Sequence, residues 1–302
     1  MNEQDGYLPT ADGLRLYYRV FGEGELTTLI VPGACLLADD ILPLTEGRRV
    51  ITYDMRGRGG SDPDPDPAHL WREYETQDLE TVRQFFALER FSLLGWSYMG
   101  GAAAVYATEH PERVERLVLA AAIPPRFPAP YDNPEEEARK ATERIDLNEI
   151  EALKTLQAAG LDQARPDEYC RQVNAALWPR QMGRPEALQT MRSDPCHYEN
   201  EWLSNLAEHK RIHFPPESWK RDWRQRAKRI RAATLVVHGT EDLIPLAAAG
   251  EWAAFIPDAR LLVLEGAGHI LHLEAPEPFF LAVDWFLWGG WPDDALVVTP
   301  PE

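Results

Sequence analysis

The chain has 302 residues and a formal net charge of -18, with 44% hydrophobic and 26% charged residues. This composition is ordinary for a globular protein, whereas the acidic balance disfavours binding to nucleic acids and anionic membranes. No apolar run reaches the roughly 18 residues of a membrane span, and the acidic, polar residues 1–6 do not form a signal peptide. We therefore predict a cytoplasmic protein with no nucleic-acid or membrane partner, and leave its oligomeric state open.

The cysteines are an odd number without C-x-x-C spacing, at Cys35, Cys170 and Cys196. This usage predicts free thiols in a reducing compartment. No set of His, Cys, Asp and Glu residues has the spacing of metal ligands. We therefore predict that the protein binds no metal and needs no cofactor.

The first 123 residues alternate between strand-like and helix-like runs. A hairpin is predicted over Gly6–Thr10 and Leu14–Phe21, because Asp12-Gly13 lies between two strand-like runs. Further strands are predicted over Leu26–Val31, Val50–Tyr53, Phe91–Leu94 and Val114–Ala122, and helices over Trp71–Leu88 and Tyr98–Glu109. This alternation predicts an α/β fold with a mostly parallel central sheet flanked by helices.

The pattern changes between Pro124 and Arg229, where charged residues, proline and tryptophan are frequent and no convincing strand occurs. Helical runs are predicted over Glu135–Ile145, Leu147–Ala159, Pro166–Leu177, Arg184–Met191 and Tyr198–His209. Strands return at Ala233–Val237 and Arg260–Leu264, with helices over Leu246–Phe255 and Pro276–Trp288. Because strands return, we predict that residues 124–229 form a helical insertion between two parts of one core, residues 1–123 and 230–302.

A strand turns directly into a helix at Gly95-Trp96-Ser97-Tyr98-Met99-Gly100. Such a turn strains the backbone of the residue at its apex and exposes its side chain, and that residue is Ser97. In the G-x-S-x-G pattern, Met99 stands where the second glycine is expected, although a flexible methionine can fit an irregular gap. Without other evidence, Ser97 is equally well explained as a helix cap.

Three polar residues follow three predicted parallel strands: Ser97, Asp242 and His269. The carboxyl ends of parallel strands meet at one edge of the sheet, where ligands bind. A serine hydroxyl needs a base to take its proton, and the base needs a third group to orient it. These residues have the identities for those roles, although Asp242 could be a turn former, His272 is a competing base, and His238 is interpreted as a buried strand-end residue.

Four motifs occur in the order found in the α/β-hydrolase-fold serine hydrolases, and over nearly all of its length the chain resembles that family. They are Asp54–Asp62 (D-x-R-G-x-G-x-S), Gly95–Gly100, Gly239-Thr240-Glu241-Asp242 with Pro245, and Gly268-His269 with Glu274 and Pro276. The resemblance implies an α/β-hydrolase fold with a helical cap, and catalysis by Ser97, His269 and Asp242. Dehalogenases and epoxide hydrolases of this fold carry Asp at the elbow, so Ser97 indicates acyl transfer instead.

An oxyanion hole requires two backbone N–H groups directed at the developing negative charge. The family position of the first donor is Tyr98, directly after the nucleophile. The second is Ala34, in a loop where Pro32-Gly33 replaces the usual His-Gly. We expect Asp54 and Arg56 to hold their loop by hydrogen bonds rather than to contact substrate.

Candidate residues of the substrate pocket are Cys35, Trp96, Trp178 and Trp202. We predict first a carboxylic ester or lactone hydrolase, with a small-molecule ester, lactone or amide as its partner. A proline-iminopeptidase-type aminopeptidase is the alternative; Glu199 and Glu201 could bind an ammonium group, but the family's His-Gly-Gly-Pro-Gly loop is absent. A C–C bond hydrolase and a non-catalytic ligand-binding member of the fold also remain open.

Overall fold

A computed structural model describes residues 3–64, 66, 69, 72–127, 131, 143–144, 146–196 and 220–299. The strands are Glu3–Pro9 (β1), Arg15–Phe21 (β2), Leu26–Pro32 (β3), Arg48–Tyr53 (β4), Phe91–Trp96 (β5), Val114–Ala120 (β6), Arg126–Phe127 (β7), Arg221–Asp222 (β8), Ala233–Gly239 (β9) and Ala259–Leu264 (β10). The helices are Ala34–Leu37 (α1), Arg72–Phe85 (α2), Tyr98–Glu109 (α3), Leu147–Ala158 (α4), Leu161–Ala164 (α5), Pro166–Leu177 (α6), Arg224–Ala227 (α7), Leu246–Phe255 (α8), Leu271–Glu274 (α9) and Pro276–Trp288 (α10). Short 3₁₀ helices span Leu42–Thr45, Pro179–Gln181 and Pro185–Thr190.

Eight strands form one mostly parallel sheet in the order β1-β2-β4-β3-β5-β6-β9-β10. The pairs β1–β2 and β2–β4 are antiparallel, and every later pair is parallel. Helix α3 packs on β5 and β6, and α8 packs on β9 and β10. This architecture confirms the predicted α/β class and places the carboxyl ends of β5, β6, β9 and β10 along one edge.

Burial explains why most side chains of the central strand β5 are apolar. All six residues of β5 are buried, whereas β2, nearer the edge of the sheet, alternates between buried and more accessible positions. A strand covered on both faces needs apolar side chains on both faces, and a half-covered one does not. The wholly buried strand β5 therefore lies inside the sheet and leads directly to Ser97.

The predicted boundaries of α3, α6, α8 and α10 agree with the structure residue for residue. The helix predicted over Arg184–Met191 is instead the 3₁₀ helix Pro185–Thr190, which Pro185 begins. The helix predicted over Tyr198–His209 lies outside the described residues, as does all but Glu143 and Arg144 of Glu135–Ile145. Among the helices that the structure describes, none is long and apolar enough to cross a membrane.

Residues near the two ends of the predicted insertion meet in a small second sheet. Strands β7 and β8 pair antiparallel, with Arg126 opposite Asp222 and Phe127 opposite Arg221. Two-residue strands are too short to give a periodic pattern, so the sequence did not predict them. Their pairing places the two ends of residues 124–229 next to each other, and these residues are called the proposed insertion below.

The prediction of three free thiols is wrong for two of the cysteines. Cys170 and Cys196 form a disulfide between α6 and the segment that follows the Pro185–Thr190 helix, and Cys35 is free. The two partners are 26 residues apart in sequence. Their approach depends on how the intervening helices fold back, which no local spacing pattern reveals.

The close packing of the elbow predicts a cost for any side chain at Gly95. A Cβ there would lie 2.5 Å from the Met99 carbonyl oxygen and 2.8 Å from the Ala103 Cβ. We expect Gly95→Ala to lower the free energy of unfolding by about 1–3 kcal/mol, because overpacking forces the backbone to shift. Urea unfolding measures this change.

Gly250→Ala is the matched control, because Gly250 lies inside α8 and a Cβ added there would have no atom within 4 Å. Alanine should raise the free energy of unfolding there by roughly 0.5–1 kcal/mol, since it has the higher helix propensity. Equal effects of the two substitutions would contradict the packing at the elbow.

Candidate active site

Ser97 occupies the strained turn between β5 and α3. Its backbone angles are φ 57° and ψ -123°, in a region that non-glycine residues rarely adopt. The Ser97 N–H donates to the Ala120 carbonyl at 2.9 Å, and the Ser97 carbonyl accepts from Gly100 at 3.1 Å and Ile123 at 3.0 Å. These bonds tie the apex to the end of the neighbouring strand β6, which holds the turn in its unfavourable conformation.

The methionine in place of the second glycine is accommodated by a glycine in the opposite loop. Met99 is 3% exposed, and a Cβ at Gly33 would lie 2.5 Å from its sulfur. Gly33 also has φ +90°, which favours glycine for a second reason. The side chain of Met99 thus packs against the loop that carries Ala34, so this loop and the turn at Ser97 are in direct contact.

Ser97, His269 and Asp242 form a hydrogen-bonded chain. The His269 Nε2 lies 2.8 Å from the Ser97 Oγ. The His269 Nδ1 lies 3.1 and 3.0 Å from the two carboxylate oxygens of Asp242. His269 and Asp242 are 5% and 6% exposed, so the pair is shielded from solvent. With Nδ1–H donating to Asp242, the Nε2 lone pair faces the serine hydroxyl and can accept its proton.

Asp242 and His269 each favour the charged form of the other. Burial opposes ionisation of Asp242, but the charge and hydrogen bond of His269 outweigh it and lower the pKa of the carboxyl. Burial likewise lowers the pKa of His269, but the charge and hydrogen bond of Asp242, with the charge of Glu274, raise it above its ordinary value. Asp242 therefore stays ionised and stabilises the imidazolium that forms when His269 takes a proton.

Two other histidines lie close to this chain in different roles. His238 is fully buried and its Nε2 donates to the Ile244 carbonyl at 2.7 Å, which leaves it 3.9 Å from the nearer Asp242 oxygen. His272 is buried with its ring edge-on to Trp96, and burial lowers its pKa to about 4. The structure therefore brings His269, and neither of the competing histidines, to the hydroxyl of Ser97.

The loop that carries Ala34 is held by the buried carboxylate of Asp54. The Cys35 N–H donates to one Asp54 oxygen at 2.7 Å and the Gly60 N–H to the other at 2.9 Å. Burial raises the pKa of Asp54, against the effect of these two donors. Because the Cys35 N–H is already used, the preceding Ala34 stays our candidate for the second oxyanion donor, with Tyr98 as the first.

The four predicted pocket residues have different surroundings. The Trp96 Nε1–H donates to the His269 carbonyl at 2.8 Å, so this tryptophan supports the base directly. Trp178 is partly buried and packs against the main core. Burial, with the nearby charge of Asp54, raises the pKa of Cys35 well above its ordinary value, which keeps it a neutral thiol. Trp202 lies outside the described residues, as do Glu199 and Glu201.

Among the residues that the structure describes, one cluster of possible metal ligands was not revealed by the sequence spacing. Ligand atoms of Asp12, Asp64 and His69 lie within 4.8 Å of one another. The Arg56 guanidinium donates to Asp12 at 2.9 Å and to Asp64 at 3.1 Å, and also pairs with Asp78 at 2.6 Å. Because the Arg56 guanidinium already bonds both carboxylates of the cluster, we assign the cluster to holding the Asp54–Asp62 loop, as expected for Arg56.

The sequence motifs include Glu274 but give it no role, and no sequence motif points to Asp40. The buried Glu274 carboxylate accepts N–H groups on both sides of His269 and from Gly183 and Arg184. The buried Asp40 carboxylate accepts the N–H groups of Arg192 at 2.8 Å and Ser193 at 3.0 Å. Both join the proposed insertion to the core beside the candidate active site.

Comparison with known proteins identifies the family. A family model described as the alpha/beta hydrolase fold matches residues 34–276, so the chain belongs to that family, as its motifs indicate. A proline iminopeptidase of Lactobacillus helveticus (strain DPC 4571) is 26% identical over 294 residues, 90% of this chain and 94% of the relative. A non-heme chloroperoxidase of Streptomyces lividans is 28% identical over 291 residues, 92% of this chain and 98% of the relative.

A crystal structure of a proline iminopeptidase from Mycobacterium smegmatis superposes with a TM-score of 0.64. It is 22% identical and covers 94% of this chain and 98% of its own. At this level of identity the likeness shows a shared fold.

The role of Asp54 is testable through stability. We expect Asp54→Asn to lower the free energy of unfolding by about 1–3 kcal/mol, because the amide offers one acceptor to two buried N–H donors. The matched control is Asp62→Asn, at the other end of the same loop, whose carboxylate pairs with the exposed Arg15. Urea unfolding should show a clearly smaller loss for the control, and equal losses would contradict the role of Asp54.

Proposed function

We propose that the protein is a serine hydrolase that cleaves its substrate through an acyl-enzyme on Ser97. The observation that carries this proposal is the chain of contacts from Ser97 Oγ through His269 to Asp242, at 2.8 Å and then 3.0 Å. It is supported by the positive φ of Ser97, which presents the hydroxyl at the end of β5.

In this mechanism the Ser97 Oγ attacks the substrate carbonyl while His269 takes the hydroxyl proton. Asp242 fixes the imidazole tautomer and stabilises its positive charge. The backbone N–H groups of Ala34 and Tyr98 are the proposed donors to the oxyanion. His269 then gives its proton to the leaving group, and a water molecule that it deprotonates releases the acid and restores Ser97.

The substrate class that we favour is an amide of an N-terminal proline. The relation to proline iminopeptidases, over 90% of this chain, supports this alternative more than the carboxylic ester that the sequence patterns put first. An ester or lactone remains the second candidate, because the same acyl-enzyme chemistry would serve it. A chloroperoxidase of similar identity is also among the relatives, so the substrate must be identified by assay.

The cysteines bear on where the enzyme works. We keep the cytoplasm as the proposed location. The Cys170–Cys196 disulfide favours an oxidising compartment. The redox state of this cysteine pair in intact cells distinguishes the two.

We expect turnover of proline p-nitroanilide by the wild-type enzyme and a loss of at least about 10³-fold in kcat for Ser97→Ala, because the attacking oxygen is gone. Ser92→Ala is the matched control: it makes the same change within β5, at a buried hydroxyl five residues before the nucleophile. Its activity should stay close to wild type, and circular dichroism should show that both variants are folded.

A parallel series of p-nitrophenyl esters of increasing acyl length decides the substrate class. Anilide turnover well above ester turnover supports the aminopeptidase, and the reverse supports the esterase. Full activity in Ser97→Ala with either substrate would overturn the mechanism.

A further inference from the structure

One buried carboxylate gathers four backbone N–H groups beside the candidate base. Glu274, in the short helix α9, is 3% exposed. One of its oxygens accepts from Gly183 at 2.7 Å, Arg184 at 2.9 Å and Gly268 at 2.9 Å. The other accepts from Ile270 at 3.0 Å. A carboxylate so deep in the protein requires this number of donors, because an uncompensated buried charge is strongly destabilising.

The four donors come from two segments that are far apart in sequence. Gly268 and Ile270 are the residues on either side of His269, so the Glu274 carboxylate holds the backbone directly before and directly after His269. Gly183 and Arg184 belong to the proposed insertion, more than 80 residues earlier in the chain. Hydrogen bonds to an ionised acceptor are roughly twice as strong as neutral ones. Glu274 therefore joins the insertion to the loop that carries His269.

The backbones of these two segments also touch directly. The His269 N–H donates to the Gln181 carbonyl at 2.8 Å. A Cβ at Gly268 would lie 2.5 Å from that carbonyl oxygen and 2.5 Å from the Gly183 nitrogen. The Arg184 guanidinium completes the junction with a bond to the Glu274 carbonyl at 2.9 Å. The position of His269 is thus defined by the seating of residues 181–184.

We propose that Glu274 is a positioning residue for the catalytic base, which aligns His269 with Ser97 by locking its loop to residues 181–184 of the proposed insertion. This role rests on the proposed serine-hydrolase function and deepens it. Glu274 contacts neither substrate nor the reacting atoms in this scheme. It acts through His269, and its effect should therefore appear in the protonation and reactivity of that residue.

The electrostatic surroundings of His269 make this effect measurable. The titratable groups that face it are Asp242, His238, Glu274 and His272, with Asp40 behind His272. Burial lowers the pKa of His238 and of His272, so His269 is the histidine whose protonation limits activity at acid pH. The charge of Glu274 helps to raise the pKa of His269, and its removal should lower that pKa.

The test measures the reactivity of Ser97 with a fluorophosphonate probe, which needs no knowledge of the substrate. The Ser97 oxygen forms a bond to phosphorus, fluoride leaves, and the hydroxyl proton passes to His269. The second-order rate constant is measured from about pH 5 to about pH 9, the range in which a histidine titrates. The variants are Glu274→Gln, Glu274→Asp and the control Glu277→Gln, which makes the same change at an exposed position in α10.

For wild type we expect the rate to fall toward acid pH with a midpoint above the ordinary histidine value, since protonated His269 cannot act as a base. Glu274→Gln should move this midpoint to lower pH and lower the plateau rate on the order of tenfold to a hundredfold, because the base is misaligned. Glu277→Gln should match wild type in both respects. A Glu274→Gln protein that is less heat-stable but has the wild-type plateau and midpoint would overturn the proposal.

Glu274→Asp keeps the charge but shortens the reach of the carboxylate. We expect it to keep the wild-type midpoint and to lose plateau rate, and it decides the question if Glu274→Gln does not fold. A wild-type plateau in Glu274→Asp would then overturn the proposal.

The proposed function has its own readout in the same experiment. Wild-type protein that is not labelled, or Ser97→Ala protein that is labelled equally, overturns the serine hydrolase and the positioning role with it. Labelling of wild type at Ser97 with no effect of the Glu274 variants overturns the positioning role alone.

Discussion

Buried carboxylates that accept backbone N–H groups hold together the irregular part of this protein. Asp40, Asp54, Asp242 and Glu274 are each less than a tenth exposed, and each accepts at least one N–H from a loop. Loops outside the sheet leave N–H groups unpaired, and a buried carboxylate needs donors. The loop N–H groups donate to the buried carboxylates, so both are satisfied by the same hydrogen bonds. These bonds hold the loops around the candidate active site in place without regular secondary structure.

Contacts with neighbouring elements explain how the strained backbone of Ser97 can persist. Ser97 has an unfavourable backbone conformation, which surrounding contacts must over-determine if it is to survive. The end of β6 forms hydrogen bonds with the backbone of Ser97. The side chain of Met99, in helix α3, packs against Gly33. Asp54 in turn holds the residue after Ala34. Met99, which stands where the motif expects glycine, therefore depends on Gly33, because a larger residue at position 33 would collide with its side chain.

Local patterns in the sequence predicted the sheet and its flanking helices, and they singled out Ser97, Asp242 and His269, which the structure brings into contact. Strand and helix periods and the residues at strand ends are encoded over short distances. The long-range contacts were not predictable in this way. Glu274 was part of a recognised motif, yet half of the N–H groups that it accepts belong to Gly183 and Arg184. Every residue except proline has a backbone N–H, so these donors leave no signal in the sequence. The Cys170–Cys196 bond and the pairing of β7 with β8 depend likewise on how distant segments meet.

These long-range contacts attach the proposed insertion to two sides of the candidate active site. Asp40, three residues beyond the end of α1, binds the backbone at Arg192 and Ser193, and Glu274 binds it at Gly183 and Arg184. The disulfide restrains the next turn of chain at Cys196. Residues 183–193 are thus attached both to the segment that follows α1 and to the loop that carries His269. In the proposed mechanism, a displacement of this segment would disturb both attachments together, and small misplacements of reacting groups slow a reaction strongly.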